Sequence, residues 1–117
     1  MDEMIARVSE ASGVAPDLTR KAVVEIFAFL QREASPEAMA ALMEKIPGAA
    51  DFTDRMQQAA PPIGGIMGLA SNLMGLGLGM AEMQAIGREV FAYARTVAGE
   101  ETLNKVAVSV PALAALG

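Results

Sequence analysis

The chain has 117 residues and a net charge of −5, and 53% of its residues are apolar while 20% are charged. It contains no Cys and no His, which excludes disulfides, thiol chemistry and the Glu-x-x-His metal sites of helical bundles. Its nine Lys and Arg residues are dispersed, whereas nucleic-acid binding needs a clustered positive footprint. The acidic start is unlike the basic first part of a signal peptide, so we expect one cytoplasmic domain over residues 1–117.

Apolar residues recur at helical spacing along most of the chain, and Gly and Pro divide this pattern into segments. Gly13 ends the first helix, Ser35 and Pro36 supply an N-cap and a first helical residue, and Gly99 separates the last two helices. No strand-like alternation competes, so an all-α, single-domain helical bundle is predicted. The predicted helices are about 2–12, 16–34, 36–46, 49–59, 63–74, 80–98 and 100–110, followed by a short turn through Leu113 and Leu116.

The most informative feature is a repeat, because residues 25–52 recur at 89–116 without a gap. The preserved positions are mostly those that pack or end helices, so the repeat describes architecture rather than chemistry. It predicts an internal duplication of a helical hairpin, about 16–52 and 80–116, with a pseudo-twofold relation between the copies. The identical pairs are Glu25/Glu89, Phe27/Phe91, Ala28/Ala92, Ala34/Ala98, Glu37/Glu101, Pro47/Pro111 and Ala50/Ala114.

A glycine-rich, uncharged segment over residues 61–79 lies between the two hairpins. No strand precedes it and no Lys-Ser/Thr follows its glycines, so it does not resemble a phosphate-binding loop. It is long enough to span a membrane, but Pro61-Pro62, the late glycines and the weak flanking basic anchors disfavour spanning. We therefore expect a largely buried helix over 63–74 that connects the hairpins, followed by a turn over 75–79.

Glycines in this connecting helix would let another helix approach closely, and we expect that contact at Gly64 or Gly68. Asn72 is predicted to face solvent or to cap a helix. The alternative interpretation is an apolar surface for a partner chain or an oily ligand, which the adaptable side chain of Met suits. The residues of that alternative surface are Met67, Leu69, Leu73, Met74, Leu76, Leu78 and Met80.

The chain offers few residues for catalysis. Glu25 and Glu89 are equivalent by the repeat, and they would form a carboxylate pair if they faced each other across the pseudo-twofold axis. Solvated acids on the polar side of each helix are the simpler interpretation. The single tyrosine, Tyr93, has Phe29 as its counterpart. We therefore predict no enzymatic activity and no catalytic, cofactor-binding or metal site.

Several short motifs carry a family resemblance. They are Ala11-Ser-Gly-Val-Ala-Pro16, Ile46-Pro-Gly-Ala-Ala-Asp51, Leu76-Gly-Leu-Gly-Met80 and Val97-Ala-Gly-Glu100. In this order the chain resembles the VcgC/VcgE group of bacterial proteins of unknown function, across nearly its whole length. The Val-Pro that the group often has in its second helix is missing here. The resemblance implies a bacterial source, and it brings no agreed activity and no catalytic residues.

Composition and pattern together favour an interaction protein. We expect a non-enzymatic helical module that self-associates, as a homodimer built on an apolar helix face, because a domain this apolar is expected to leave some apolar surface outside its core. The alternative is a carrier or sensor of a small apolar ligand or lipid held between the two helical halves. Neither nucleic acid nor a membrane is expected as a partner.

Overall fold

Six α-helices account for most of the described residues, which are 2–46, 48 and 66–109 of this computed structural model. No strand occurs within them, which confirms the all-α prediction. The helices predicted over 2–12, 16–34, 36–46, 80–98 and 100–110 agree with the structure to within one residue at each end. The helix predicted over 63–74 agrees at its end, and its predicted first residues, 63–65, lie outside the described residues. The predicted helix over 49–59 and the final turn also lie outside them. The helices are α1 (Asp2–Ser12), α2 (Pro16–Glu33), α3 (Pro36–Lys45), α4 (Ile66–Gly75), α5 (Met80–Ala98) and α6 (Glu100–Ser109).

Local chemistry explains where the helices begin and end. The Ser35 side chain accepts a hydrogen bond of 3.2 Å from the backbone N–H of Ala38, so it caps α3 as the sequence predicts. Gly13 follows α1 with a φ of 74°, and Gly77 follows α4 with a φ of 95°. Both conformations lie in the left-handed region that glycine adopts without strain. The same stop signal therefore ends the first and the fourth helix.

A single offset relates the first three helices to the last three. Adding 64 to the bounds of α1, α2 and α3 gives 66–76, 80–97 and 100–109, and the observed helices span 66–75, 80–98 and 100–109. The sequence repeat begins only at Glu25, so it does not show that α4 is the counterpart of α1. The glycine-rich helix thus has the place of a first helix as well as of a connection between hairpins. A duplication as the origin of this correspondence stays a prediction.

The first helix of each set packs on the other set. Helix α1 packs mainly against α5, and α4 packs mainly against α2, so each first helix lies on the second helix of the other set. Helices α2 and α5 contact each other, as do α3 and α6. These contacts agree with a pseudo-twofold relation, whereas the contact of α3 with α5 has no counterpart of similar extent between α6 and α2, so the pseudo-twofold stays a prediction. The packing brings residues of α1 beside residues of α5.

One core cluster contains residues from all six helices, and α5 contacts each of the other five. Burial within it corrects two predictions about the glycine-rich segment. Helix α4 is amphipathic rather than largely buried, because its 3.6-residue period turns one side to solvent. The predicted apolar surface is not one surface, because Leu69, Leu73 and Leu78 are buried in the core and Leu76 packs against it. Of the seven predicted residues, the exposed ones are Met67, Met74 and Met80.

Candidate functional site

The exposed side of α4 is uncharged and carries two methionines, and we call Met67, Ser71 and Met74 the methionine face. Met67 and Met74 are seven residues apart, so they share one side of the helix, and they are 75% and 60% exposed. Met80, at the start of α5, is 64% exposed. Among the six described helices, α4 is the one without a charged residue. Nothing in the intrachain packing of the described residues requires these methionines.

The counterpart positions on α1 carry charged side chains instead of methionines. Subtracting 64 from the methionine face gives positions 3, 7 and 10, which are Glu3, Arg7 and Glu10, all exposed. Charged residues are therefore compatible with these positions in α1, where Arg7 also lies over the ring of Tyr93. Charged residues at these exposed positions would favour solubility more than the methionines do.

The buried side of α4 carries a polar contact that sequence reasoning missed. Asn72 is half-buried, and its Nδ2 donates a hydrogen bond of 3.2 Å to Oε2 of Glu25 on α2. From the sequence, Asn72 is predicted to lie at a cap or in solvent and Glu25 to be a solvated acid. Only the packing of α4 on α2, which no local pattern reveals, brings the two together. Gly68 is half-buried, and Gly64 lies outside the described residues.

A pocket of ≈ 90 Å³ lies between α1 and α5. Its polar lining comes from a guanidinium, a carboxylate and two hydroxyl-bearing side chains, which suits a polar guest better than the oily ligand considered from the sequence. Thr96 uses its hydroxyl hydrogen within its own helix, donating to the carbonyl of Ala92 at 3.0 Å. The lining residues are Arg7, Val8, Glu89, Ala92, Tyr93 and Thr96.

Tyr93 is the most unusual residue of this pocket. It is only 5% exposed, and its hydroxyl is the buried side-chain polar atom of the described structure that has no hydrogen-bond partner. The Arg7 guanidinium lies 5.6 Å from the centre of its ring, within cation–π range. Burial raises the pKa of the Tyr93 phenol, the charge of Glu3 raises it further, and Arg7 opposes both. The hydroxyl is therefore a buried group without a hydrogen-bond partner.

Glu89 lines the same pocket in a half-buried position, and it has no hydrogen-bond or ion-pair partner among the described residues. Glu25 accepts from Asn72 instead of facing a second carboxylate. Within residues 2–46, 48 and 66–109, no three acidic side chains cluster closely enough to hold a metal ion. The predictions that no catalytic, cofactor or metal site exists stay predictions.

Comparisons with protein-family models, with curated proteins and with solved structures give no match to this chain. The resemblance to the VcgC/VcgE group therefore stays a prediction. None of the helices that the structure describes is long and apolar enough to cross a membrane.

Proposed function

We propose that this protein is a non-enzymatic helical interaction module that self-associates through the methionine face of α4. The observation that carries the proposal is the exposed pair Met67 and Met74 on an uncharged helix. Exposed apolar patches of this kind mark contact surfaces, and Met adapts its shape to the surface it meets. At the counterpart positions, α1 carries charged residues in place of the methionines, which supports a role for Met67 and Met74 beyond packing within the chain.

A second copy of the chain is the partner that this face fits best. The face carries no charge, so a charged partner surface would lose its hydration without compensation. Two copies of α4 related by a twofold axis would present the same uncharged surface to each other. Met80 would extend the contact beyond the helix itself.

The size of the face indicates a weak dimer. A ten-residue helix is about 15 Å long, and a standard stable interface buries ~800 Å² on each partner. The methionine face alone provides less than that area, so we expect a Kd that is micromolar or weaker. Self-association should therefore depend on protein concentration in the working range.

The test transfers the residues of α1 to α4. In the double variant Met67→Glu, Met74→Glu, both positions take the residue found at their counterparts Glu3 and Glu10. Sedimentation velocity over a concentration series should show a monomer–dimer equilibrium for the wild type and a monomer for the variant. Val108→Glu is the matched control, because Val108 is an exposed apolar residue on α6. A wild type that stays monomeric at all concentrations, or a double variant that still dimerises, would overturn the proposal.

A further inference from the structure

The leucines and the methionines of α4 lie on opposite sides of the helix. Leu69 and Leu73 are buried in the core, whereas Met67 and Met74 are exposed. Met80, at the start of α5, is exposed as well, so methionine supplies all but one of the large apolar side chains exposed in the described part of the chain. Leucine would give a similar apolar surface, but methionine adds a sulfur atom that oxidants can modify.

The methionines of the core are shielded from such oxidants. Met4, Met39 and Met83 are buried, and Met43 is half-buried and packs against the core. Since oxidation of sulfur follows its exposure, the methionine face and Met80 should react before these four residues. The chain has no Cys, so no thiol within it competes for the oxidant.

We propose that Met67 and Met74 are oxidation sites through which a peroxide controls self-association, an inference that rests on the proposed function. The thioether sulfur attacks one peroxide oxygen, so an S–O bond forms while the O–O bond breaks. The sulfur is oxidised by two electrons to the sulfoxide, and hydrogen peroxide is reduced to water. Methionine sulfoxide reductases reverse this step, so the modification is reversible.

The sulfoxide changes the polarity of the methionine face. Methionine sulfoxide carries a polar S–O group in place of the apolar thioether, and burial of that group without a hydrogen-bond donor is unfavourable. The face offers at most one side-chain donor, the Ser71 hydroxyl, for two sulfoxides. The oxidised face should therefore stay in water, and the oxidised chain should be a monomer.

Oxidation and self-association should compete for the same two side chains. A second copy covers Met67 and Met74 in the dimer, whereas they are exposed in the monomer. Because the expected dimer is weak, the monomer is always available to the oxidant, and its oxidation draws subunits out of the dimer by mass action. The rate of sulfoxide formation at Met67 and Met74 should consequently fall as protein concentration rises.

The test measures oxidation and subunit mass in the same samples. Protein is treated with limiting hydrogen peroxide, peptide mass spectrometry measures the sulfoxide at each methionine, and sedimentation velocity measures the dimer. We expect sulfoxide at Met67 and Met74 while Met4, Met39 and Met83 are still reduced. The Kd should then rise by about tenfold or more, and methionine sulfoxide reductases should restore it. The melting temperature of the dilute monomer should not change, because the oxidised side chains lie outside the core.

The double variant Met67→Leu, Met74→Leu is the matched control, because it keeps an apolar face and removes the sulfur. Leu is close to Met in volume and in helix propensity, so this variant should dimerise as the wild type does and should continue to dimerise after peroxide treatment. Met67→Gln, Met74→Gln places a polar group at both positions and should be monomeric before any peroxide is added.

The outcomes separate this inference from the proposed function. The inference alone is overturned if the buried methionines oxidise as fast as Met67 and Met74, or if the dimer persists with sulfoxide at both positions. It is also overturned if the leucine variant loses its dimer on the same treatment, since another residue would then be responsible. A wild type that is monomeric before oxidation would overturn the proposed function, and the inference with it.

Discussion

Replacing Tyr93 with Phe should stabilise the protein, because it removes a buried hydroxyl that has no partner. Leaving such a group unsatisfied costs about 1–3 kcal/mol. The space left by one oxygen costs a few tenths of a kcal/mol, at about 24 cal/mol per Å³ of cavity. The cation–π contact with Arg7 is retained, since Phe also offers a ring face. We therefore expect the free energy of unfolding to rise by about 1 kcal/mol or more.

The expected shift in melting temperature follows from chain length. Unfolding entropy is about 2.1 cal/mol/K per residue, so for 117 residues a gain of 1 kcal/mol raises Tm by about 4 °C. Thermal melts followed by far-ultraviolet circular dichroism, without added ligand, measure this shift. The reverse change, Phe29→Tyr, is the matched control, because it introduces a hydroxyl at a site that is 1% exposed. It should lower Tm.

Two results would refute the reasoning about Tyr93. If Tyr93→Phe lowers Tm, the hydroxyl makes a stabilising hydrogen bond in solution, for which Glu3, whose charge acts on Tyr93, is a candidate acceptor. If Tyr93→Phe and Phe29→Tyr change Tm in the same direction, removing the hydroxyl at position 93 and adding one at position 29 do not have the opposite effects that the reasoning requires.

Two further predictions concern alkaline pH and the α2–α4 contact. The pKa of Tyr93 in the folded protein is raised above the ordinary value of 10.0. Folding therefore favours the protonated phenol, and this contribution to stability is complete below about pH 10 and is lost as pH rises through the folded pKa. Tyr93→Phe should remove part of this loss of stability at alkaline pH. Absorbance titration of tyrosinate reads the pKa directly, because the chain has one Tyr and no Trp, and a midpoint at or below 10 would contradict the expectation. Asn72→Ala should cost about 1 kcal/mol in urea unfolding, through the lost bond to Glu25, and an unchanged midpoint would show that this bond contributes nothing.

The helix bounds were predictable because single residues set them. Gly13, Ser35 and Gly99 act locally, through backbone conformation or a side-chain cap, so their effect does not depend on the rest of the fold. The correspondence of α1 with α4 was not predictable in this way. Between residues 2–24 and 66–88 the identical pairs are Ala6/Ala70 and Gly13/Gly77, while burial and helix bounds agree throughout most of the segment. Packing constrains size and polarity on one side of a helix and leaves the other side free.

The pocket was not predictable because its residues come from two helices that are far apart in the sequence and meet only in the fold. Arg7 and Val8 lie on α1, whereas Glu89 and Tyr93 lie on α5, and no periodicity links the two segments. The burial of the glycine-rich segment was predicted wrongly for a different reason. Its outward side carries Met67 and Met74 instead of charges, so the pattern does not distinguish the side that faces the core from the side that faces solvent.

The positions at which the two sets of helices differ are the best candidates for functional residues in this fold. Positions that pack are matched between the two sets of helices, as with Ile26 and Val90, because both must fill the same core. The unmatched positions include changes that the fold does not need. Exposed methionines on α4 reduce solubility, and the Tyr93 hydroxyl adds an unsatisfied buried group. Each feature is unfavourable in the isolated chain, and the methionine face would become favourable by burial against a second copy.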